Sequence, residues 1–231
     1  MEKMYNRKLK FFPRLFQKLA ARVTADSFAN YQPIFLNNKI IKQGERNCLD
    51  RWQLIKKEMQ RYGVNSFLDL GCAEGFYVLK AAKECECFSV GIDSDVRRLT
   101  AAQNQIITEG IKSAGFIYGA VGEKTIKKLS KFDMVLFMSV LHHLMYSYGH
   151  DYCLSFLKQL RNKISKVMIF EMGQSSERAR EWATKLPDMG KNPEKWIVNF
   201  LMSAGFSRVE KIGETDSYRS EQKRIIFRVE P

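Results

Sequence analysis

Between residues 66 and 173 short apolar runs alternate with longer amphipathic ones, and this rhythm constrains the fold more than any other feature. The runs "SFLDLG", "FSVGID", "GFIYG", "FDMVLFMS" and "KVMIFEMG" read as strands. The stretches between them, "FYVLKAAKEC", "DVRRLTAAQNQIITEG", "TIKKLS" and "DYCLSFLKQLRNKIS", read as helices. Strands joined through helices run parallel, with helices on both faces of the sheet. The ending differs. "NPEKWIVNFLMSAGF" reads as a helix with Pro193 just inside its start and Gly205 at its end. "SRVEKIG" and "KRIIFRVE" follow with only a polar turn between them, so they must pair antiparallel. The expectation is an α/β fold with a mostly parallel seven-stranded sheet and a C-terminal antiparallel hairpin. A chain of 231 residues suits one such domain with embellishments. Upstream, residues 47–62 read as a helix, apolar at Leu49, Trp52, Ile55 and Met59. Residues 26–45, with Pro33 and an Asn37–Asn38 pair, read as an irregular connection. An extension over residues 1–45 and a catalytic domain over 46–231 are expected.

The first strand runs into "DLGCAEGF". A bend between a strand and a helix passes close under a bound nucleotide, and Gly71 and Gly75 allow backbone approach there. Asp93 ends the second strand, where a carboxylate can take both ribose hydroxyls of a nucleoside. A dinucleotide fits poorly. The GxGxxG fingerprint fails at Ala73 and Phe76, and Asp69 is an acid where a pyrophosphate would pass. An acid there suits a ligand with an amino group and a sulfonium, which points to S-adenosylmethionine.

At these residues the chain resembles the class I S-adenosylmethionine-dependent methyltransferases. "FLDLGCAEG" looks like their first motif, "VGIDSD" their second and "FDMVLFMSVLHHL" their fourth. The resemblance implies a Rossmann-like fold, for which a parallel sheet closed by an antiparallel hairpin is the hallmark. It implies that Asp69, Gly71 and Gly75 cradle the methionine part, that Asp93 holds the ribose, that Val121 lies against the adenine, and that Ser139 lines the floor, with Cys72, Ala73 and Ser94 completing the cofactor-binding set. Ala73 departs from the glycine that many members carry there. Positions 120–121 hold no acid, so adenine would rest on backbone and packing.

Methyl transfer requires alignment of acceptor and methyl group, and a base only where the acceptor carries a proton. His142 and His143 follow the fourth strand, and Glu171 ends the fifth; these three are the candidate catalytic residues. Arg46 and Arg51 in "GERNCLDRW" are candidate forks for a carboxylate or a phosphate. Their alternative is pairing with Glu45 or Asp50. Residues 172–191 read as a cap over the acceptor, with Trp182 and Arg178 or Arg180 as contacts. No metal site is expected: the five cysteines include only a lone CxC at Cys85 and Cys87.

The net charge of +13 would attract phosphate, nucleic acid or anionic lipid. Residues 1–24 hold seven basic residues against the single acid Glu2, with Leu15, Phe16, Leu19 and Val23 at helical spacing. Such a helix either packs on the domain or lies on an anionic membrane surface. No run is long and apolar enough to cross a bilayer, and the N-terminus lacks a signal peptide's apolar core, so the expected place is the cytoplasm, with peripheral attachment at the inner membrane face left open. "GERNCLDRW", "LDLGCAEGF", "SVLHHL" and "FEMG" are also similar to methyltransferase domains of bacterial enzymes that cap surface polysaccharides. That similarity implies O-methylation of a phosphorylated or glycosidic small acceptor. The alternatives are an RNA methyltransferase, which the charge favours, and a non-catalytic protein that binds S-adenosylmethionine or lipid.

Overall fold

A computed structural model describes residues 31–36, 39–217 and 222–231. The expected basic helix within residues 1–24 lies outside them. The first described strands, β1 (Ile34–Leu36) and β2 (Lys39–Lys42), pair antiparallel. Helix α1 (Leu49–Arg61) follows, then β3 (Ser66–Leu70), α2 (Phe76–Glu84), β4 (Phe88–Asp93), α3 (Val96–Glu109), β5 (Ala114–Tyr118), α4 (Glu123–Lys128) and β6 (Phe132–Met138). Helices α5 (Leu141–Tyr148) and α6 (His150–Arg161) precede β7 (Ile164–Glu171). A 3-10 helix (Glu181–Lys185), α7 (Pro193–Ser203), β8 (Arg208–Asp216) and β9 (Lys223–Glu230) complete it.

The seven-stranded sheet has the order β5-β4-β3-β6-β7-β9-β8. β3, β4, β5, β6 and β7 run parallel to one another, and β9 pairs antiparallel with both β7 and β8. The expected Rossmann-like methyltransferase sheet is therefore present. The strand order reverses at β3, which pairs with both β4 and β6, and the crevice at that switch point is where such sheets bind ligands.

The pleat divides the core. Along β6, Met134, Leu136 and Met138 pack with Trp52, Phe67 and Phe76 on the face covered by α1 and α2. Val135 and Phe137 pack with Phe156, Phe170 and Leu201 on the face covered by α6 and α7. Strands buried on both faces read as continuous apolar runs, which is why β6 and β7 stood out in the sequence.

Two elements differ from expectation. Residues 34–36 and 39–42 pair as antiparallel strands where an irregular connection was expected. Phe35 packs against Phe76, and its backbone N–H donates to Gln105 Oε1 at 2.9 Å, so the pair is held by tertiary contacts rather than by its own sequence. The second is α5, a helix absent from the expected strand–helix alternation; it buries Leu141, His142, Leu144 and Met145. Among the described residues no helix is long and apolar enough to cross a membrane.

Candidate active site

At the carboxyl ends of β3, β4 and β6 a cleft of about 800 Å³ opens. Its wall includes Asp69, Gly71 and Ala73 from the first bend, Asp93 and Ser94 after β4, Val121 before α4, and Ser139 after β6. Cavities of this size hold a nucleoside cofactor together with part of a second reactant.

The bend takes its shape from left-handed residues. Gly71 has φ 83° and Gly75 φ 78°. A methyl group on Gly71 would lie 2.5 Å from Val140 Cγ2, and one on Gly75 2.4 Å from Phe116 Cζ. Ala73, the departure from the family pattern, also has φ 49°. The position thus asks for a glycine-like torsion, at roughly 1–2 kcal/mol for a residue with a Cβ. Its backbone N–H donates to Asp93 Oδ2 at 2.8 Å, which locks the first motif onto the second. Asp93 Oδ1 accepts from Asp95 N–H at 2.8 Å. Cys72 and Gly75 do not line the cleft; they build the bend behind it, Cys72 buried against Gly91.

Asp69 is buried, and its Oδ2 has no hydrogen-bond partner. Burial and the neighbouring Asp93 push its carboxyl well above the usual range. A buried carboxylate oxygen without a donor is costly unless a ligand supplies one.

The acceptor end is built around Glu171, whose side chain is fully buried. Arg46 Nη2 lies 3.1 Å from both carboxylate oxygens, Arg51 Nε 3.0 Å from Oε2 and Arg224 Nη1 3.3 Å from Oε1. Ser139 Oγ donates to Oε1 at 2.6 Å. Burial alone would raise this carboxyl, but Arg46, Arg51 and Arg224 outweigh it and hold it well below the usual carboxylate range. Glu171 therefore does not act as a proton acceptor: its lone pairs are spent and its charge is fixed. Arg46 and Arg51 pair across the molecule rather than with Glu45 or Asp50. Arg46 reaches the cleft wall; Arg51 does not, because it also donates to the carbonyls of Asn47 and Asp216. Arg224 was missed in the sequence. It is the second residue of β9, where an arginine reads as a solvated face, yet it lines the cleft and forks onto Glu177 at 2.9 Å through both Nε and Nη2.

The histidines separate. Gly173 N–H donates to His142 Nδ1 at 3.0 Å, so the neutral ring carries its proton on Nε2 and has no lone pair left to accept one. Burial, then Arg224 and His143, hold its pKa well below the ordinary histidine value. His143 exposes its ring on the cleft wall, and partial burial and Arg224 lower its pKa too. It is neutral at neutral pH with a nitrogen available. Trp182 packs against His142 with ring centroids 4.2 Å apart and the planes tilted by 50°, and lies under the Arg224 guanidinium at 5.4 Å. Ala179, Arg180, Glu181 and Trp182 of the 172–191 segment line the cleft, whereas Arg178 does not.

A family model described as a methyltransferase domain matches residues 64–215. The chain belongs to the methyltransferase-domain family. Its curated relatives include an O-antigen chain terminator bifunctional methyltransferase/kinase, WbdD, of Escherichia coli, 27% identical over 86% of this chain and 27% of that protein. The chain thus spans about a quarter of the length of the curated relatives it matches. A crystal structure of WbdD superposes with a TM-score of 0.77 at 24% identity, over 91% of this chain and 46% of that one. The N-terminal domain of EvdMO1, solved with SAH and D-fucose, superposes with a TM-score of 0.65 at 18% identity over 94% and 96% of the two chains. At these identities the two superpositions speak to the fold alone.

As a methyltransferase domain the chain has a cleft that fits S-adenosylmethionine. The partnerless Asp69 oxygen suits the cofactor's ammonium group, the glycine bend leaves room for its tail, and Asp93 keeps lone pairs for ribose hydroxyls. Ala120 and Val121 add an apolar stretch of wall against which the adenine would rest. When bound, the cofactor supplies an electrophilic methyl group on a sulfonium. The chain's own part would be to hold it and to align an acceptor beside it, and Trp182, His143 and Arg224 line the cleft where one would enter.

Proposed function

We propose that the chain O-methylates a phosphorylated or glycosidic small acceptor, such as a precursor of a surface polysaccharide or glycolipid. The observation that carries this reading is the charge at the acceptor end. Three guanidinium groups, those of Arg46, Arg51 and Arg224, face two carboxylates, Glu171 and Glu177, leaving a positive surplus in a buried network. Such a surplus attracts an anion and repels a cation. An ionised phosphate oxygen carries no proton and needs no base, which suits a site where Glu171 is locked and His142 has no free lone pair. Trp182 adds an aromatic face for a sugar ring. The WbdD relatives, named as O-antigen chain terminators, support the same class of acceptor. On this reading the enzyme works in the cytoplasm, and the basic stretch of residues 1–24 holds it near lipid-linked acceptors.

The test is conversion of S-adenosylmethionine to S-adenosylhomocysteine across phosphosugars, phosphorylated glycolipid fragments, neutral sugars, phenols and bulk tRNA. Turnover with the phosphorylated or glycosidic members is expected. Turnover with tRNA alone, accompanied by a gel shift with a steep salt slope, would replace this reading with the RNA methyltransferase that the net charge of +13 favours. Cofactor binding without any turnover would leave a non-catalytic binder.

A further inference from the structure

One buried carboxylate joins the segment before α1 to the cofactor bend. Glu74 lies in that bend with its side chain fully buried. Its Oε1 accepts the backbone N–H of Tyr31 at 3.0 Å, and its Oε2 that of Gln32 at 3.2 Å. Gln32 returns the contact: its Oε1 accepts the N–H of Phe76, the first residue of α2, at 3.0 Å. Gln105 of α3 ties the same parts a second time, accepting from Phe35 N–H and donating to the Glu74 carbonyl at 3.1 Å. None of these pairings links neighbours in sequence.

Their joint effect falls on Tyr31. Its ring lies between the guanidinium groups of Arg46 at 5.5 Å and Arg98 at 5.3 Å. Arg46 donates to its phenolic oxygen, and the Arg46 backbone N–H to its carbonyl at 3.0 Å. Tyr31, Gln32, Arg46 and Arg98 line the cleft together with Asp69 and Asp93. Tyr31 thus stands on the wall between the two arginines, beside the residues that would hold the nucleoside.

We propose that Glu74 is a positioning residue for the cofactor: it fastens Tyr31 over the cleft, so that the glycine bend and the segment before α1 close on the ligand as one unit. The reason is geometric. The bend supplies the carboxylate, and the upstream segment supplies two N–H donors with no other role in a helix or strand. A wall held by a charge-assisted pair keeps its place when the cleft fills, and the ligand then does not have to order it.

The experiment is calorimetry of S-adenosylhomocysteine binding to the full chain carrying Glu74→Gln, Tyr31→Ala or both. An amide offers one oxygen where the carboxylate offers two and sets an NH2 against a backbone N–H. Each single variant is expected to bind about tenfold or more weakly. If Glu74 acts through Tyr31, the double variant binds no more weakly than the weaker single one. A purely structural role would lower the melting temperature and leave affinity unchanged. The proposal is overturned if folded Glu74→Gln or Tyr31→Ala binds within about twofold of the unsubstituted chain, or if the two losses multiply. Should Glu74→Gln not fold by circular dichroism, Glu74→Asp keeps the charge at shorter reach and is judged by the same criteria. Since no acceptor takes part, the result is independent of the acceptor class proposed above.

Discussion

Asp69 shows how one side chain can cost stability and serve binding. Burial and Asp93 raise its carboxyl well above the ordinary value, so the native, ligand-free chain holds this proton more tightly than the unfolded one. Its contribution to stability therefore falls as pH rises above about 3.8, the unperturbed value. Replacement by asparagine removes the buried charge but also the partner of the cofactor's ammonium group. Asp69→Asn is expected to melt higher than the unsubstituted chain at pH 7 without ligand. It is also expected to bind S-adenosylhomocysteine roughly 10–100-fold more weakly, the loss of a hydrogen bond to a charged group. Paired melting curves and calorimetry check both signs; unchanged affinity would remove Asp69 from the cofactor site. Asp69, Gly71 and Asp93 were legible as cleft residues because their places follow from position at strand ends. Glu171 was legible as a strand-end acid but not in its role, since nothing local told of its three arginines.

Between elements, the contact that sets the acceptor wall is Trp182 against the end of β7. A methyl group on Gly173 would lie 2.2 Å from Trp182 Cη2, so this glycine is a notch for the ring rather than a hinge. The same residue's N–H fixes the tautomer of His142. Gly173→Ala is expected to push Trp182 off His142 and Arg224, raising the acceptor KM about tenfold or more, as a misplacement near 1 Å does elsewhere. Affinity for S-adenosylhomocysteine is expected to stay within about twofold, because the cofactor residues lie on other elements. Steady-state kinetics and the tryptophan emission maximum check it. At this scale strands and long helices were readable from period and punctuation. The β1–β2 pair and α5 were not: the first is held by Gln105 and Phe76, and the second is too short to show a clear period.

Across the molecule, the Glu171 network fastens parts far apart in sequence. Arg46 precedes α1, Arg51 lies in α1, Ser139 follows β6, Glu177 lies in the 172–191 segment and Arg224 in β9. Removing the central charge leaves buried guanidinium groups without a partner. Glu171→Gln is expected to cost about 3–5 kcal/mol in urea unfolding at pH 7. The arginines hold the folded carboxyl below its ordinary 4.5, so the stability it contributes is present above about pH 4.5 and is lost as pH falls from there toward the folded value. The variant should accordingly lose less stability than the unsubstituted chain between pH 6 and pH 3. An equal loss in both would mean that other carboxylates dominate acid unfolding.

What the amino-acid order determined by itself was the layered α/β architecture, the antiparallel ending and the strand-end residues that line the cleft. These depend on spacings of a few residues: the apolar period, the turn glycines, an acid at a strand end. What only the tertiary structure decided was which charges meet. Arg46 and Glu171 are separated by 125 positions, Glu74 and Tyr31 by 43. Coulomb attraction and hydrogen bonding act through space, and a chain position carries no mark of the partner that folding brings to it. Burial then turned a candidate base into a fixed brace, because a carboxylate shut away from water keeps its charge only where cations surround it.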